Sequence, residues 1–321
     1  VLTLDIQAGG TNHHYGRIAH WLASNLWRRM PEVVVNIKVG TPYRDLRAVG
    51  DGLAHIGVFT PAAAARMCLE GLGVFETPRP KLRSIGVVPH RDALIVGVRG
   101  ELGLDSLEDI AQRRVPLRLA VPLEAALPGH ASRQVLARCG ITPETLEGWG
   151  GQWIDASSAQ AAWKMVAEGE ADGMINESIP QAFRPLAKAV PLRLLSIPRP
   201  VADAVQTAFG YCWREVPAGT LAGQEEPVIG LRWEHWIVVA HADLPDDIAY
   251  GLADTFVCDT HGLERQYTAD NRLPAEECSL EYPMRPEVVA GEVTIPLHPG
   301  ATRRYREAGI GSALAPVDAP S

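Results

Sequence analysis

Apolar and polar positions over the first 90 residues repeat one unit three times: an apolar run, a small polar turn, then apolar residues spaced by three and four. Leu2 to Ala8 passes through Gly9-Gly10-Thr11 into Tyr15, Ile18, Ala19, Leu22 and Leu26, a spacing that gives a helix one apolar stripe. Val33 to Val39 leads through Gly40-Thr41-Pro42 to Leu46 and Val49, and Ile56 to Phe59 runs into Thr60-Pro61 and an alanine-rich helix. Strands alternating with helices predict a parallel sheet covered by helices.

The pattern continues with strands at Leu82 to Val88 and Ala93 to Val98, the latter read as a crossing into a second lobe. There a strand at Leu117 to Val121 and helices over Ser132 to Cys139 and Ser157 to Glu168 follow, Ser157 with Gln160 reading as a capping box. Further strands are expected at Ala171 to Asn176 and Leu192 to Ile197, then a loop from Val216 to Pro227. Trp236 to Ala240 reads as a strand returning to the first lobe. A helix begins after Leu244-Pro245-Asp246-Asp247, its acidic first turn suiting the helix dipole, and the chain ends in an Ala/Pro tail expected to be disordered. The lobe boundaries read as 1–92, 93–238 and 239–321.

Composition narrows the function classes. Hydrophobic residues make up 46% and charged ones 21% of 321 positions, enough to build real cores. A net charge of −8 argues against a nucleic-acid binder, and no apolar run approaches the ~20 residues a membrane span needs. The five cysteines, Cys68, Cys139, Cys212, Cys258 and Cys278, have no metal-binding spacing and leave the compartment open. The chain opens on a strand pattern, so it is either cytosolic or has lost a leader.

Candidate chemistry sits in the turns after the strands. Thr41-Pro42 and Thr60-Pro61 each place an N-cap residue before the proline favoured at the first helical position, and Gly10-Thr11 is a third helix entry. In open α/β sheets ligands sit outside the carboxyl ends of strands, where free N–H groups favour anions. The Gly-Gly-Thr turn lacks both nucleotide-loop patterns. Neither a nucleophile elbow nor a zinc-protease motif occurs, and adjacent His13 and His14 diverge on a helix, so no catalytic residue, metal ligand or cofactor is expected. His130 and Ser132 stand at another loop-to-helix entry, Arg91 and Arg133 are candidate carboxylate partners, and Glu177 ends a strand. Asn12, His13, Tyr15 and His90 complete the candidate ligand set. Of the tryptophans clustered in the second lobe, one is a candidate for the ligand wall.

The chain resembles the TAXI group of solute receptors, which serve tripartite ATP-independent periplasmic (TRAP) transporters. The resemblance rests on Ala8-Gly9-Gly10-Thr11 with Tyr15, Gly52-Leu53-Ala54-His55-Ile56-Gly57, Ser106-Leu107-Glu108-Asp109-Ile110 and Glu168-Gly169-Glu170-Ala171-Asp172-Gly173. It continues through Val216-Pro217-Ala218-Gly219-Thr220 and Ile295-Pro296-Leu297-His298-Pro299-Gly300-Ala301. It implies a type II periplasmic-binding-protein fold: two doubly wound α/β lobes joined by two crossing strands with a ligand cleft between them. It also implies a removed leader, a periplasmic location, a monomer, a small carboxylate ligand (amino acid, dicarboxylate or aromatic acid) and delivery to TRAP membrane subunits. Pocket positions depart from the group's pattern at Asn12-His13-His14, at Thr60-Pro61 and in the loop Leu123 to Ser132 bearing His130. An enzyme on the same fold (a decarboxylase, or one resembling pyrimidine-precursor synthases) and a ligand-sensing module of a signalling system are the alternatives.

Overall fold

The computed structural model describes residues 2–8, 14–221, 223–271, 280–281 and 283–311. The chain divides into two compact units, Val1–Arg91 with Glu234–Ser321, and Asp92–Trp233.

The first unit begins with β1 (Leu2–Ala8), α1 (His14–Arg29), β2 (Val33–Val39), α2 (Pro42–Gly50), β3 (Ile56–Phe59), α3 (Ala63–Glu70) and β4 (Leu82–Val88). The second unit follows with β5 (Ala93–Arg99), α4 (Leu107–Gln112), β6 (Arg118–Pro122), α5 (Leu127–Arg138), α6 (Pro143–Gly148), β7 (Gln152–Ala156), α7 (Ala159–Ala167) and β8 (Gly173–Glu177). It ends with α8 (Pro180–Ala189), β9 (Leu192–Leu195), α9 (Arg199–Phe209), β10 (Trp213–Val216) and β11 (Val228–Arg232). The chain then returns to the first unit as β12 (Trp236–His241), α10 (Asp246–Cys258), α11 (Thr260–Asn271), α12 (Pro286–Gly291) and α13 (Pro299–Glu307).

In the first unit the strand order is β2-β1-β3-β12-β4. β1 pairs in parallel with β2 and β3, while β12 runs antiparallel to β3 and β4. The carboxyl ends of β1 to β4 therefore share one rim with the start of β12. β3 and most of β12 are buried on both faces, which is why they read as unbroken apolar runs without alternation. The stripe predicted on α1 is the face that packs on this sheet: Ile18, Ala19, Leu22 and Leu26 are fully buried in one core with Leu4, Ile6, Leu252 and Tyr305.

The second unit has a mixed sheet of order β10-β11-β5-β8-β6-β7, with β9 also paired to β5. β6 runs parallel to β7 and β8, and β5 runs antiparallel to β8, so the carboxyl end of β8 lies beside the start of β5. Ala93–Arg99 is thus an interior strand of this sheet, and the expectation of all-parallel sheets is corrected by one interior antiparallel strand in each unit, β12 and β5.

Several local expectations change. Thr41 is the N-cap of α2 with Pro42 at the first turn, but its side chain makes no capping hydrogen bond. Thr60 caps no helix: the Thr60–Pro61 peptide is cis, and α3 starts at Ala63 after Ala62. The cap of α7 is Ser158, which accepts from the Ala161 amide at 3.1 Å, one residue after the predicted Ser157. The predicted Gly9-Gly10-Thr11 turn and the C-terminal tail lie outside the described residues.

Candidate functional site

On the rim of the first unit, rings crowd around Trp236 at the start of β12. His90, just beyond β4, stacks on Trp236 with centroids 3.8 Å apart and planes at 17°. His14, opening α1, stacks on the same indole at 4.8 Å. It also stacks at 5.2 Å on Tyr267 of α11, whose hydroxyl lies 2.9 Å from His14 Nδ1. The His90 amide donates to His235 Nδ1 at 3.3 Å. His235 has φ +64°, a left-handed backbone that non-glycine residues adopt at a cost and that here turns the chain into β12. Three imidazoles and an indole thus line the strand ends, His90 and Trp236 almost wholly buried.

Other predicted residues of this unit lie differently. Tyr15 is half-buried and packs against the sheet core, and Thr60 is buried beneath the rim. Arg91 is exposed and pairs with Glu281 at 2.9 Å, which raises the guanidinium pKa. Thr41 is exposed, and its helix entry already faces a carboxylate. Asp45, in the first turn of α2, is buried so close to Gly40 that a Cβ there would collide with its carboxyl group. Burial raises the pKa of Asp45, with Arg44 opposing. A ligand anion at this entry would meet like charge, so the anion preference argued from Thr41 weakens. Gly10, Thr11, Asn12 and His13 lie outside the described residues.

The rim of the second unit carries a pair of carboxyl groups. β5 and β8 pair with Leu94 opposite Glu177, which brings Asp92, the residue before β5, to the end of β8. Asp92 is 5% exposed, and its Oδ1 accepts from the Ala93 amide and the Ser178 hydroxyl, both at 2.8 Å. Desolvation pushes the pKa of Asp92 up, with the Ser178 hydrogen bond and Arg214 opposing. Desolvation and then the charge of Asp92 push Glu177 up, with Trp233 opposing. Carboxyl groups that feel one another's charge resist ionising together.

An aromatic wall continues from this pair. Trp233 stacks on Tyr211 at 6.0 Å and 22°, and the Tyr211 hydroxyl lies 3.0 Å from His130 Nδ1. Burial lowers the His130 pKa, favouring the neutral ring. Ser132 is fully buried one turn into α5, its hydroxyl without a hydrogen-bond partner. Arg133 is committed: it donates to the Pro122 carbonyl at 2.7 Å and to Asp155 at 2.9 Å, and lies 5.1 Å from the Trp153 ring.

Of the predicted residues, His130 and Glu177 stand at the strand ends of the second unit and His90 at those of the first, while Asp92 and Tyr211 are not among the predicted set, and Trp233, His235 and Trp236 enter it only as members of the tryptophan and histidine groups. Their signal was the dense ring-and-charge run Trp233-Glu234-His235-Trp236 at one passage between units and His90-Arg91-Asp92 at the other. Among the described residues no group of three His, Cys, Asp or Glu could hold a metal ion. The rings His90 and Trp236, and Tyr211 and Trp233, are buried and stack on one another, and the raised pKa values of Asp92 and Glu177 favour a carboxyl that can donate as well as accept a hydrogen bond.

A sequence profile of the NMT1-like family matches residues 6–309. No curated protein matches in sequence. Among solved structures, a TctC solute-binding protein from Polaromonas is similar at 13% identity, with a TM-score of 0.53 over 97% of each chain. MatC from Rhodopseudomonas palustris with bound malate is 14% identical, TM-score 0.50, over 98% of this chain and 99% of that one. The binding-protein component of an ABC phosphonate transporter from Pseudomonas aeruginosa is 12% identical, TM-score 0.50, over 87% and 80%. At these identities the likeness carries the fold, the two-lobe α/β fold of periplasmic binding proteins.

Proposed function

The chain belongs to the NMT1-like family, and we propose that it is an extracytoplasmic solute receptor that binds a small organic ligand and does no chemistry on it. The observation that carries this reading is the placement of ring and carboxyl side chains at the strand carboxyl ends of both sheets, where α/β folds bind ligands. Whole-chain likeness to solute-binding proteins supports it.

The finer reading keeps a small carboxylate as ligand, with TRAP membrane subunits as partners, a periplasmic location and a monomeric chain. The bound malate of MatC supports an acid ligand, and the TAXI-like motifs support the TRAP assignment. On the carboxyl-pair rim, an acid ligand needs Asp92 and Glu177 to hold a proton between them, because a protonated carboxyl donates a hydrogen bond where two ionised ones repel. The imidazole cluster at His14, His90 and His235 keeps an enzyme on the same fold as the second reading.

A thermal-shift screen with dicarboxylates, amino acids and aromatic acids tests both. A receptor gains about 2.7 kcal/mol at a hundredfold excess of ligand over its dissociation constant. Consumption of the stabilising acid would favour the enzyme.

A further inference from the structure

The edge of the first-unit sheet remote from the His90–Trp236 rim, where β3 and β4 begin and β12 ends, holds a cavity of about 720 Å³. That lies within the ~300–1,000 Å³ usual for small-molecule sites. Its polar centre is a pair of histidines that neither rim uses. His55 stands immediately before β3, and His241 is the last residue of β12. Ile56 pairs with Ala240, so the next pair along is His55 with His241, and the His241 amide donates to the His55 carbonyl at 3.3 Å. Side chains directly opposite in an antiparallel pair share one face of the sheet.

Both imidazoles use Nδ1 as an acceptor. The Asp5 amide donates to His55 Nδ1 at 3.1 Å, and the Asp243 amide donates to His241 Nδ1 at 3.3 Å, closer than the Asp243 Oδ2 that lies 3.5 Å from the same nitrogen. In a neutral ring the nitrogen that accepts carries no hydrogen, so Nε2 carries it. In that tautomer both rings, which line the same cavity, carry their hydrogen on Nε2. Gly52 keeps one of them accessible: a Cβ there would stand 3.4 Å from His241 Nε2, and the residue's φ of +74° suits glycine. Lys81 adds an ammonium group to the same wall.

The two lining acids are already paired. Asp51 takes two bonds from Arg79, at 2.9 and 3.4 Å, and Asp243 pairs with Lys81 at 3.0 Å. Leu4, Leu244 and Pro80 supply an apolar remainder.

We propose that this cavity is a second ligand site, which takes a small organic anion with an apolar tail, its oxygens accepting from His55 and His241 Nε2–H. The same tautomer disfavours a metal ion. Coordination at Nε2 would move the ring hydrogen to Nδ1, where the Asp5 and Asp243 amides already donate. The proposal stands apart from the receptor reading, since it uses neither rim.

The test is a titration of the full chain with hexanoate, followed through the imidazole nitrogen and proton signals of each histidine. The expected result is the Nε2–H tautomer at both His55 and His241 and a saturable shift confined to them. His55→Asn and His241→Asn keep an acceptor at the Nδ1 position and remove the Nε2–H, and each should weaken hexanoate binding by about tenfold or more. If a variant fails to fold, the wild-type tautomer and titration still decide. Nδ1–H rings, saturable movement of His14 and His90 with none at His55 and His241, or stoichiometric zinc binding by the pair would each overturn the proposal.

Discussion

Asp92 and Glu177 carry the most distinctive residue-scale consequence. Burial raises both carboxyl groups above their unfolded values, so between the ordinary carboxylate range and the raised values the folded chain holds more protons than the unfolded one. Stability contributed by this pair is greatest below that window and falls as pH rises through it. Asp92→Asn and Glu177→Gln should each flatten the decline in melting temperature between pH 5 and pH 8. An undiminished decline in both variants would locate its source elsewhere. Glu177 was legible as a residue at a strand end, whereas Asp92 was not, because what makes it special is Ser178, 86 residues away just past the end of β8. The same holds for His130, whose meaning depends on Tyr211, 81 residues on. Arg133 looked like a ligand partner because nothing local reveals that Asp155 and the Pro122 carbonyl already claim it.

At the scale of elements, apolar runs with turn residues behind them were the readable part, interrupted by polar residues in β1 and β2 and unbroken in β3 and most of β12. β10 and β11 did not stand out. Trp213-Arg214-Glu215-Val216 is mostly polar and pairs only with β11, and such a strand has no apolar face to advertise. The cap of α7 was misplaced by one residue because Ser157 and Ser158 are both good caps and only backbone geometry chooses. Ser158→Ala should therefore destabilise the chain by about 1 kcal/mol, and Ser157→Ala by much less, in chemical denaturation. Equal losses would contradict the observed cap.

The loop and helix around His130 give a sharper test. A Cβ at Gly129 would overlap the backbone carbonyl of Leu123, so the first turn of α5 closes on the loop only with glycine there. Gly129→Ala should cost about 1–3 kcal/mol by denaturation, the range for forced overpacking. A neutral result would mean the loop can move aside.

For the whole molecule, the fold was the most legible level and the ligand the least. Strand–helix alternation and family-like motifs led to two α/β lobes, and the solved structures share that fold. The helix entries give less support to an anion. One helix entry faces Asp45, one is not a helix cap, and the third falls outside the described residues. What replaces them is the Asp92–Glu177 pair, whose raised pKa values favour donating a hydrogen bond to an acid ligand.

The most direct measurement of the central claim is calorimetric titration of the intact chain with the best acid from the thermal-shift screen, followed by recovery and mass analysis of that acid. Saturable binding is expected, with the acid recovered unchanged. No saturable binding of any carboxylate, or recovery of a converted product, would contradict that claim.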